Sequence, residues 1–381
     1  MSFSDLPFSQ GPFAPHWVPK QYIENYFSSH QTDKYLVTNT TVEGISKLES
    51  AITSNSQWSL TLRRFHPVNQ QDEWWQEDFD AVIIANGHYS VPYVPSVPGL
   101  EDYKTIFPDK VIHSKQFRSA TDFTQQRVII IGNSASGQDL TTSLVREAAH
   151  PIYQSRRSAG RWDGDEPPPG VEWKPVITRY ERSGEIVFAD GSTIPGDEID
   201  KVIYCTGYKP SFPFWNIQRG GQPLYDYSEG RLVGSYLHTF FRELPSMAII
   251  GLPRVLTFRS MEYQAIAVAR VWSGRAVLPD KGEQKLWERN RVELTKRERR
   301  KFHDISWDDG ETVQYLQALF DLAGLPRLDG SGRYPPVLDE RTRWAIQNIK
   351  KYPEPKRKKD QDEDGYVVFS AGELKDSLHF I

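Results

Sequence analysis

Short apolar runs separated by glycine and proline set the pattern of this 381-residue chain. Alternating apolar positions at 35–45 and 58–63 predict two half-exposed strands. The nearly continuous apolar run at 79–85 predicts a fully buried strand. A helical period over residues 20–27 predicts a short amphipathic helix before them. The pattern therefore indicates that a sheet begins within the first 90 residues.

A strand, a glycine-rich turn and a helix follow in the middle of the chain. Residues 89–99 are rich in proline, which predicts a linker between domains and not the interior of a strand or helix. After the linker, the apolar run 127–131 predicts a buried strand, the helical spacing at 136–149 a helix, and residues 151–155 a second strand. This order is typical of half a dinucleotide-binding unit with a parallel crossover.

The remaining pattern is less regular. Glycine, proline and tryptophan at 160–175 predict an inserted loop. Residues 176–199 predict a hairpin that turns at 190–192, and residues 201–205 a further strand. Beyond these, the sequence predicts helices at 260–275 and 284–302, and a solvated surface for the mixed charge run at 356–365.

Composition narrows the functional classes. The chain has 46 basic and 50 acidic residues, a net charge of -4, which removes the electrostatic case for nucleic acid or an anionic membrane as partner. Cys205 is the only cysteine, so an internal disulfide and a Cys-x-x-Cys redox pair are both excluded. No window approaches ~18 consecutive apolar residues, and residues 1–15 lack the charged-then-apolar layout of a signal peptide. These features predict a cytoplasmic protein without a metal site and with a small-molecule ligand.

The sharpest motif lies between the predicted strand 127–131 and the helix after it. Glycines at both ends would allow a tight turn and close packing of helix on strand, and the first helical amides would face a pyrophosphate. Serine stands where a central glycine is usual. A plain turn is the alternative interpretation. The predicted cofactor-binding residues of the motif are Gly132, Asn133, Ser134, Ala135, Ser136 and Gly137.

Two arginines end the next predicted strand. At this position an acidic residue would bind the ribose hydroxyls of NAD, whereas Arg156 and Arg157 suit the 2′-phosphate of NADPH. The alternative is a solvated surface pair. We therefore predict that NADPH is the nucleotide and that both arginines contact it.

Four motifs occur in the order and spacing of a known family. The first, Ala-Asn-Gly-His-Tyr-Ser-Val-Pro at 85–92, contains Gly87 and His88 and has asparagine where the family has threonine. The second, at 107–117, is similar to the family's Phe-x-Gly-x-x-x-His-x-x-x-Tyr/Phe pattern, with Asp109 in place of glycine. Each of these two motifs is weak alone.

The third motif is the glycine turn, and the fourth is Tyr-Cys-Thr-Gly-Tyr at 204–208, which contains Thr206 and Gly207. Together the four resemble the flavin-containing monooxygenases, especially their fungal branch, over about residues 1–275. For Gly87 and Gly207 a purely structural role in tight turns stays open. The resemblance implies that these glycines, with His88 and Thr206, also contact cofactor.

The resemblance implies an α/β fold of two interleaved Rossmann-like dinucleotide-binding domains. Residues 1–95 and 205–381 would form the FAD-type domain, and residues 96–204 an NADPH-binding domain inserted in it. The chain as given starts at a stretch that follows the FAD-binding Gly-x-Gly-x-x-Gly segment in the family. We therefore expect the FAD-type domain to be incomplete at its N-terminus.

The resemblance also implies a function. It is oxygenation of nitrogen or sulfur in a small molecule, with FAD and NADPH as cofactors, O₂ as co-substrate and a flavin hydroperoxide as oxidant. Secondary metabolism is the expected setting, a homodimer is among the expected assemblies, and no catalytic acid or base is assigned. The alternative is a catalytically impaired relative that binds NADPH or acts as an interaction protein. A Baeyer–Villiger enzyme stays open, whereas the single cysteine argues against a disulfide reductase.

Overall fold

The computed structural model describes residues 2–8, 14–15, 17–48, 57–220, 222–253, 257–306, 309–324 and 332–349. Its contacts divide this part of the chain into a first unit, Met1–Gly87 with Phe212–Ile349, and a second unit, His88–Ser211. The sequence placed the boundaries at 95/96 and 204/205, several residues away from these divisions. The nucleotide assigned to each unit stays a prediction.

The first unit opens with a helix and a three-stranded antiparallel sheet. The helix is Trp17–Ser29, and a 3₁₀ turn follows at Asp33–Tyr35. The strands are Thr40–Lys47, Trp58–His66 and Gln71–Phe79, paired in that order. The sequence missed the third strand because nearly all its residues are exposed, so no apolar alternation marks it.

A four-stranded sheet forms the centre of the first unit. Its strands are, in spatial order, Ser235–Tyr236, Phe240–Phe241, Leu244–Ile249 and Val82–Ile84, and the last two are parallel. The prediction of a fully buried strand at 79–85 was wrong, because Val82–Ile84 is the edge strand of this sheet and Ile83 is 45% exposed. A small antiparallel pair, Tyr225–Asp226 with Arg231–Leu232, completes the strands of this unit.

Five further helices of the first unit are described: Ile217–Gly220, Thr257–Trp272, Lys281–Arg297, Glu311–Ala323 and Glu340–Asn348. The last four contribute residues to one hydrophobic cluster. Helix Thr257–Trp272 packs on helix Glu311–Ala323 through buried Tyr263, Ala267 and Leu316. The predicted helices at 260–275 and 284–302 are confirmed with shifted ends. The charge run at 356–365 lies outside the described residues.

The second unit is built on a five-stranded parallel sheet. Its spatial order is Val111–His113, Lys201–Tyr204, Arg127–Ile131, Ala149–Ser155 and Val171–Lys174. The central strand is covered on both faces, and Val128, Ile129 and Ile130 are wholly buried, as an apolar run in a parallel sheet requires. The predicted α/β fold class is confirmed.

Helices and turns connect these strands. The α-helices are Leu100–Ile106 and Ala135–Leu144, and 3₁₀ turns lie at Ser114–Gln116, Ala120–Phe123 and Gly196–Glu198. The helix predicted at 136–149 ends five residues early, because residues from Ala149 onward already pair in the sheet. Three antiparallel strands stand beside the parallel sheet: Ile177–Tyr180, Ile186–Phe188 and Thr193–Ile194. The predicted turn at 190–192 is confirmed, with a second turn before it.

Two predictions for the second unit were wrong. Residues 160–175 are not wholly a loop, because Val171–Lys174 forms the outer strand of the parallel sheet. Within the proline-rich linker, Val91–Pro92 pairs with Tyr208–Lys209 as a two-stranded sheet. Proline fits there because the pair is short and has no further neighbouring strand that needs its N–H.

Candidate functional site

The glycine turn of the second unit is fixed by steric contacts. Gly132 has φ +111°, and a Cβ built on it would lie 2.7 Å from the carbonyl oxygen of Cys205. A Cβ on Gly137 would lie 2.1 Å from the Gly132 carbonyl oxygen. No side chain fits at either distance. Glycine is therefore required at both positions for the helix to pack on the strand.

The helix after the turn begins without a side-chain cap. Ser134 is the N-cap in extended conformation, and its side chain makes no capping hydrogen bond. Ser134 and Ala135 are exposed, while Gly137 is buried. The first amides of a helix have no acceptor within the helix, and the macrodipole makes this end positive. The start of helix Ala135–Leu144 is therefore suited to an anion.

A buried carboxylate joins the turn to the arginine strand. Asp163 Oδ2 accepts hydrogen bonds from Asn133 Nδ2 at 2.6 Å, Arg156 Nη1 at 2.8 Å and the Gly160 amide at 2.8 Å. The Asp163 side chain is 2% exposed. Asn133 Nδ2 also donates to the Ser158 carbonyl at 2.9 Å. The structure thus brings Asn133 and Arg156 to one buried acceptor.

Arg156 also stacks on an aromatic ring through the flat face of its guanidinium group. Its guanidinium carbon lies 3.3 Å from the centroid of the Trp173 ring, a close cation–π stack. Trp173 Nε1 donates to Gln154 Oε1 at 3.2 Å, and Gln154 Nε2 donates to Thr141 Oγ1 at 3.2 Å. Gln154 is buried. This chain of contacts ties the arginine to the helix behind the turn.

Arg157, by contrast, is exposed and follows directly after Arg156. The two arginines therefore differ in environment although they are neighbours in sequence. Arg156 is positioned by its partners, whereas Arg157 is an exposed cation at the same edge of the sheet. The sequence could not separate the two.

Thr206 and Gly207 follow strand Lys201–Tyr204 at the same edge of the sheet. Thr206 Oγ1 donates to the Tyr93 carbonyl, and the Tyr93 amide donates to the Gly207 carbonyl at 2.8 Å. Gly207 has φ +82°. These bonds hold the end of the strand, so the structure gives both residues a structural role in the turn.

His113 supports the Gly207 turn. Its Nδ1 accepts from the Lys115 amide at 3.1 Å, so Nε2 carries the proton and donates to the Gly207 carbonyl at 3.0 Å. Burial lowers the pKa of His113. The side chain therefore serves as a neutral, packed histidine.

Gly87 and His88 fall on either side of the division between the units. Gly87 has φ +71° and a Cβ there would meet no atom within 4 Å. The His88 ring lies 4.1 Å from the Tyr89 ring. A ligand role for these two residues stays a prediction.

Cys205 does not have the environment of a redox cysteine. It is buried beside the glycine turn, and burial raises the pKa of its thiol to about 12. The thiolate is the nucleophilic form, so this thiol is unreactive at neutral pH. Within the described residues, no group of three or more His, Cys, Asp or Glu could hold a metal ion. No helix in that part of the chain is long and apolar enough to cross a membrane.

Sequence reasoning missed Asp163, Trp173 and Gln154. The first two lie in the segment interpreted as an inserted loop, and the third in a strand expected only to pack. A usable signal was present: Val171-Glu172-Trp173-Lys174 alternates apolar and polar residues, as an outer strand does.

A family model described as flavin-binding monooxygenase-like matches residues 1–163 and 170–327 of the chain. This match covers both units and includes the glycine turn and Arg156. The chain belongs to the flavin-binding monooxygenase-like family. The resemblance inferred from the four motifs is thereby confirmed.

Curated members of the flavin-binding monooxygenase-like family are similar in sequence. The flavin-containing monooxygenase FMO GS-OX-like 9 of Arabidopsis thaliana is 32% identical over 291 residues, 73% of this chain and 60% of that protein. The flavin-containing monooxygenase iboF of Amanita muscaria is 28% identical over 327 residues, 74% of this chain and 60% of that protein. The chain thus spans 60% of the length of each.

A solved structure shows the same fold. The S-allyl-L-cysteine S-oxygenase of Allium sativum superposes with a TM-score of 0.68 at 24% identity, covering 86% of this chain and 72% of that one. At this identity the similarity establishes the fold of this chain and says nothing about its substrate.

Proposed function

We propose that this protein is an FAD- and NADPH-dependent monooxygenase that oxygenates nitrogen or sulfur in a small molecule, with O₂ as co-substrate. The observation that carries the proposal is the glycine turn tied to Arg156 through Asp163, in a chain of the flavin-binding monooxygenase-like family. A turn that needs glycine at both ends and a cation at the next strand end are the two parts of an NADPH site.

The second unit fits NADPH by its own geometry. The first amides of helix Ala135–Leu144 would bind the pyrophosphate, since they are at the positive end of the helix. Arg156 and Arg157 would bind the 2′-phosphate, which carries the charge that separates NADPH from NADH. The residues of this chain therefore bind and orient the electron donor.

FAD enters the proposal through family membership. The glycine turn at 132–137 belongs to the second unit, and the described residues of the first unit contain no comparable Gly-x-x-x-x-Gly turn after an apolar strand. When bound, a flavin supplies the transfer of electrons from nicotinamide to O₂. We assign no residue of the first unit to it, and no acid or base to the reaction.

Sulfur is proposed as an oxygenated atom because a solved structure of similar fold is named as an S-oxygenase. Nitrogen is proposed because the resemblance of the four motifs to the flavin-containing monooxygenases implies it. The net charge of -4 over a chain with similar numbers of acidic and basic residues suits a small, uncharged or mixed-charge substrate. The presence of plant and mushroom relatives supports a role in secondary metabolism.

The direct test is a visible spectrum of the purified 381-residue protein after desalting, with and without added FAD, followed by NADPH oxidation and oxygen uptake. The proposal expects flavin bands and NADPH-dependent oxygen uptake that a thioether or tertiary amine increases. A protein that binds NADPH but takes up no oxygen with FAD supplied would be the catalytically impaired relative. Products from ketones alone would indicate Baeyer–Villiger chemistry.

Replacement of both arginines is expected to reduce the preference for NADPH. In Arg156→Ala/Arg157→Ala the KM for NADPH should rise at least about tenfold, since a hydrogen bond between charged groups contributes roughly 1.5–3 kcal/mol. The KM for NADH should change little. Steady-state kinetics with both nucleotides measures this, and Arg182→Ala, an exposed arginine of the same unit, is the control. Equal changes for the two nucleotides would contradict the assignment.

A further inference from the structure

The Asp163 carboxylate is a negatively charged group next to a site proposed to bind a phosphate, which is an unfavourable place for it. It is buried, and it lies within hydrogen-bond distance of Arg156, the cation assigned to the 2′-phosphate. A negative charge beside an anion site lowers anion affinity through Coulomb repulsion. Burial of a carboxylate is itself unfavourable unless it is paired and hydrogen-bonded. The position of Asp163 is therefore best explained by the groups that donate hydrogen bonds to it.

Asp163 holds both parts of the nucleotide site at one oxygen. Its Oδ2 binds Asn133, which belongs to the glycine turn, and Arg156, which ends the next strand. The third donor, the amide of Gly160, fixes the loop that carries the carboxylate. Three donors on one oxygen suit an ionised carboxylate better than a neutral amide.

The ion pair leaves Arg156 able to bind a second anion. It uses Nη1, one of the two terminal nitrogens, and the guanidinium has five N–H donors in a fixed plane. The Trp173 ring covers one face of that plane at 3.3 Å. The guanidinium is therefore restricted both in plane and along its normal. A restricted cation loses less conformational entropy when it binds a phosphate.

We propose that Asp163 is a positioning residue for the 2′-phosphate of NADPH, acting through Arg156. This inference rests on the proposed function of the second unit. Asp163 sets the guanidinium on Trp173 and links it to the glycine turn through Asn133, so that the phosphate end and the pyrophosphate end of the site are held together. Preorganisation outweighs the repulsion between carboxylate and phosphate.

The experiment is a double-mutant cycle read by direct binding. Kd values for 2′,5′-ADP and 5′-AMP, which differ by the 2′-phosphate, are measured by calorimetry on wild type, Asp163→Ala, Arg156→Ala and the double variant of the full chain. The ratio of the two Kd values reports discrimination for the 2′-phosphate. Glu166→Gln removes one negative charge from an exposed position in the same loop and is the matched control.

We expect Asp163→Ala to reduce the discrimination ratio about tenfold, and the double variant to match Arg156→Ala alone, because groups that act as one unit are not additive. Glu166→Gln should leave the ratio unchanged or raise it slightly. Asp163→Asn, which keeps an acceptor oxygen, should recover part of the ratio. It also provides the measurement if the alanine variant does not fold.

Three results would overturn the inference. One is an equal loss of affinity for both ligands, which is the sign of a purely structural role. Another is full additivity in the double variant, which would mean that Asp163 does not act through Arg156. The third is a wild-type protein that binds neither 2′,5′-ADP nor NADPH; that result alone would also overturn the proposed NADPH site.

Discussion

Gly137→Ala is expected to reduce the affinity of the protein for 2′,5′-ADP on the order of a hundredfold, the effect of losing about two hydrogen bonds to a charged phosphate at roughly 1.5 kcal/mol each. A Cβ at position 137 would lie 2.1 Å from the Gly132 carbonyl oxygen, which belongs to the backbone and cannot rotate away. The helix Ala135–Leu144 must therefore shift from the strand. Its first amides then no longer point at the 5′-phosphate of 2′,5′-ADP, which corresponds to one half of the NADPH pyrophosphate.

The control for this prediction is Ser143→Ala, an exposed position near the other end of the same helix. It should bind 2′,5′-ADP within about threefold of wild type, since its hydroxyl donates only to the Asp139 carbonyl within the helix and lies away from the glycine turn. Calorimetric titration gives both affinities, and thermal unfolding shows whether each variant is folded. A folded Gly137→Ala variant with wild-type affinity would mean that the helix start is not the anion site.

Apolar runs made the central part of the second unit predictable. Strand Arg127–Ile131 lies between two parallel strands, and both of its faces are covered. The central residues of the strand are therefore all apolar. The glycine turn after it was predictable for a local reason, because the positive φ of Gly132 and the close approach of Gly137 to the Gly132 carbonyl oxygen both arise within the turn. Local constraint and sequence signal coincide there.

Edge strands were not predictable in this way. Gln71–Phe79 pairs along its whole length with Trp58–His66, yet nearly all its side chains face solvent. Val82–Ile84 has an apolar sequence but an open face. In both cases the neighbouring strand, and not the sequence of the strand itself, decides which residues are buried.

The site shows the same limit. Arg156 was predictable from its place at the end of a strand, but its partner Asp163 lies in a segment without periodicity, and Trp173 lies on an outer strand. Their meeting depends on how that segment folds back on the sheet. A residue that acts through another is visible only when the tertiary contacts are known.

A buried histidine pair in the first unit predicts acid sensitivity. His238 and His303 are both buried, and their Nδ1 atoms lie 2.9 Å apart. His303 Nε2 accepts from the Leu232 amide at 3.0 Å, so the proton of neutral His303 is on Nδ1 and is donated to His238 Nδ1. If His238 Nδ1 also carried a proton, the two N–H groups would point at each other and the hydrogen bond would be lost.

The surroundings of His238 also disfavour a charged ring. The aromatic rings of Trp287, Phe302 and Tyr315 pack against it. Burial, followed by the repulsion that a protonated His303 would exert and by the charges of Arg291 and Arg300, lowers the pKa of His238 well below its usual value. Arg291 and Arg300 both pair with Glu311, which lies between them. The folded protein therefore requires this histidine to be neutral.

The free energy of unfolding should therefore fall as the pH falls below about 6.5, the ordinary pKa of histidine. A folded-state pKa below the unfolded-state value means that the unfolded chain binds the proton more tightly, so the stabilisation is complete above pH 6.5 and is lost below it. A histidine that stays neutral in the folded state at pH 5 reduces stability by about 2 kcal/mol between pH 7 and pH 5.

Urea unfolding of wild type and His238→Asn at pH 7 and pH 5 measures this contribution. The variant should be less stable at pH 7, because a buried hydrogen bond is lost, but its stability should depend less on pH than that of wild type. His66→Gln, which removes an exposed histidine of the same unit, should keep the wild-type dependence. Parallel pH dependences for wild type and His238→Asn would show that His238 is not the group whose protonation unfolds the unit.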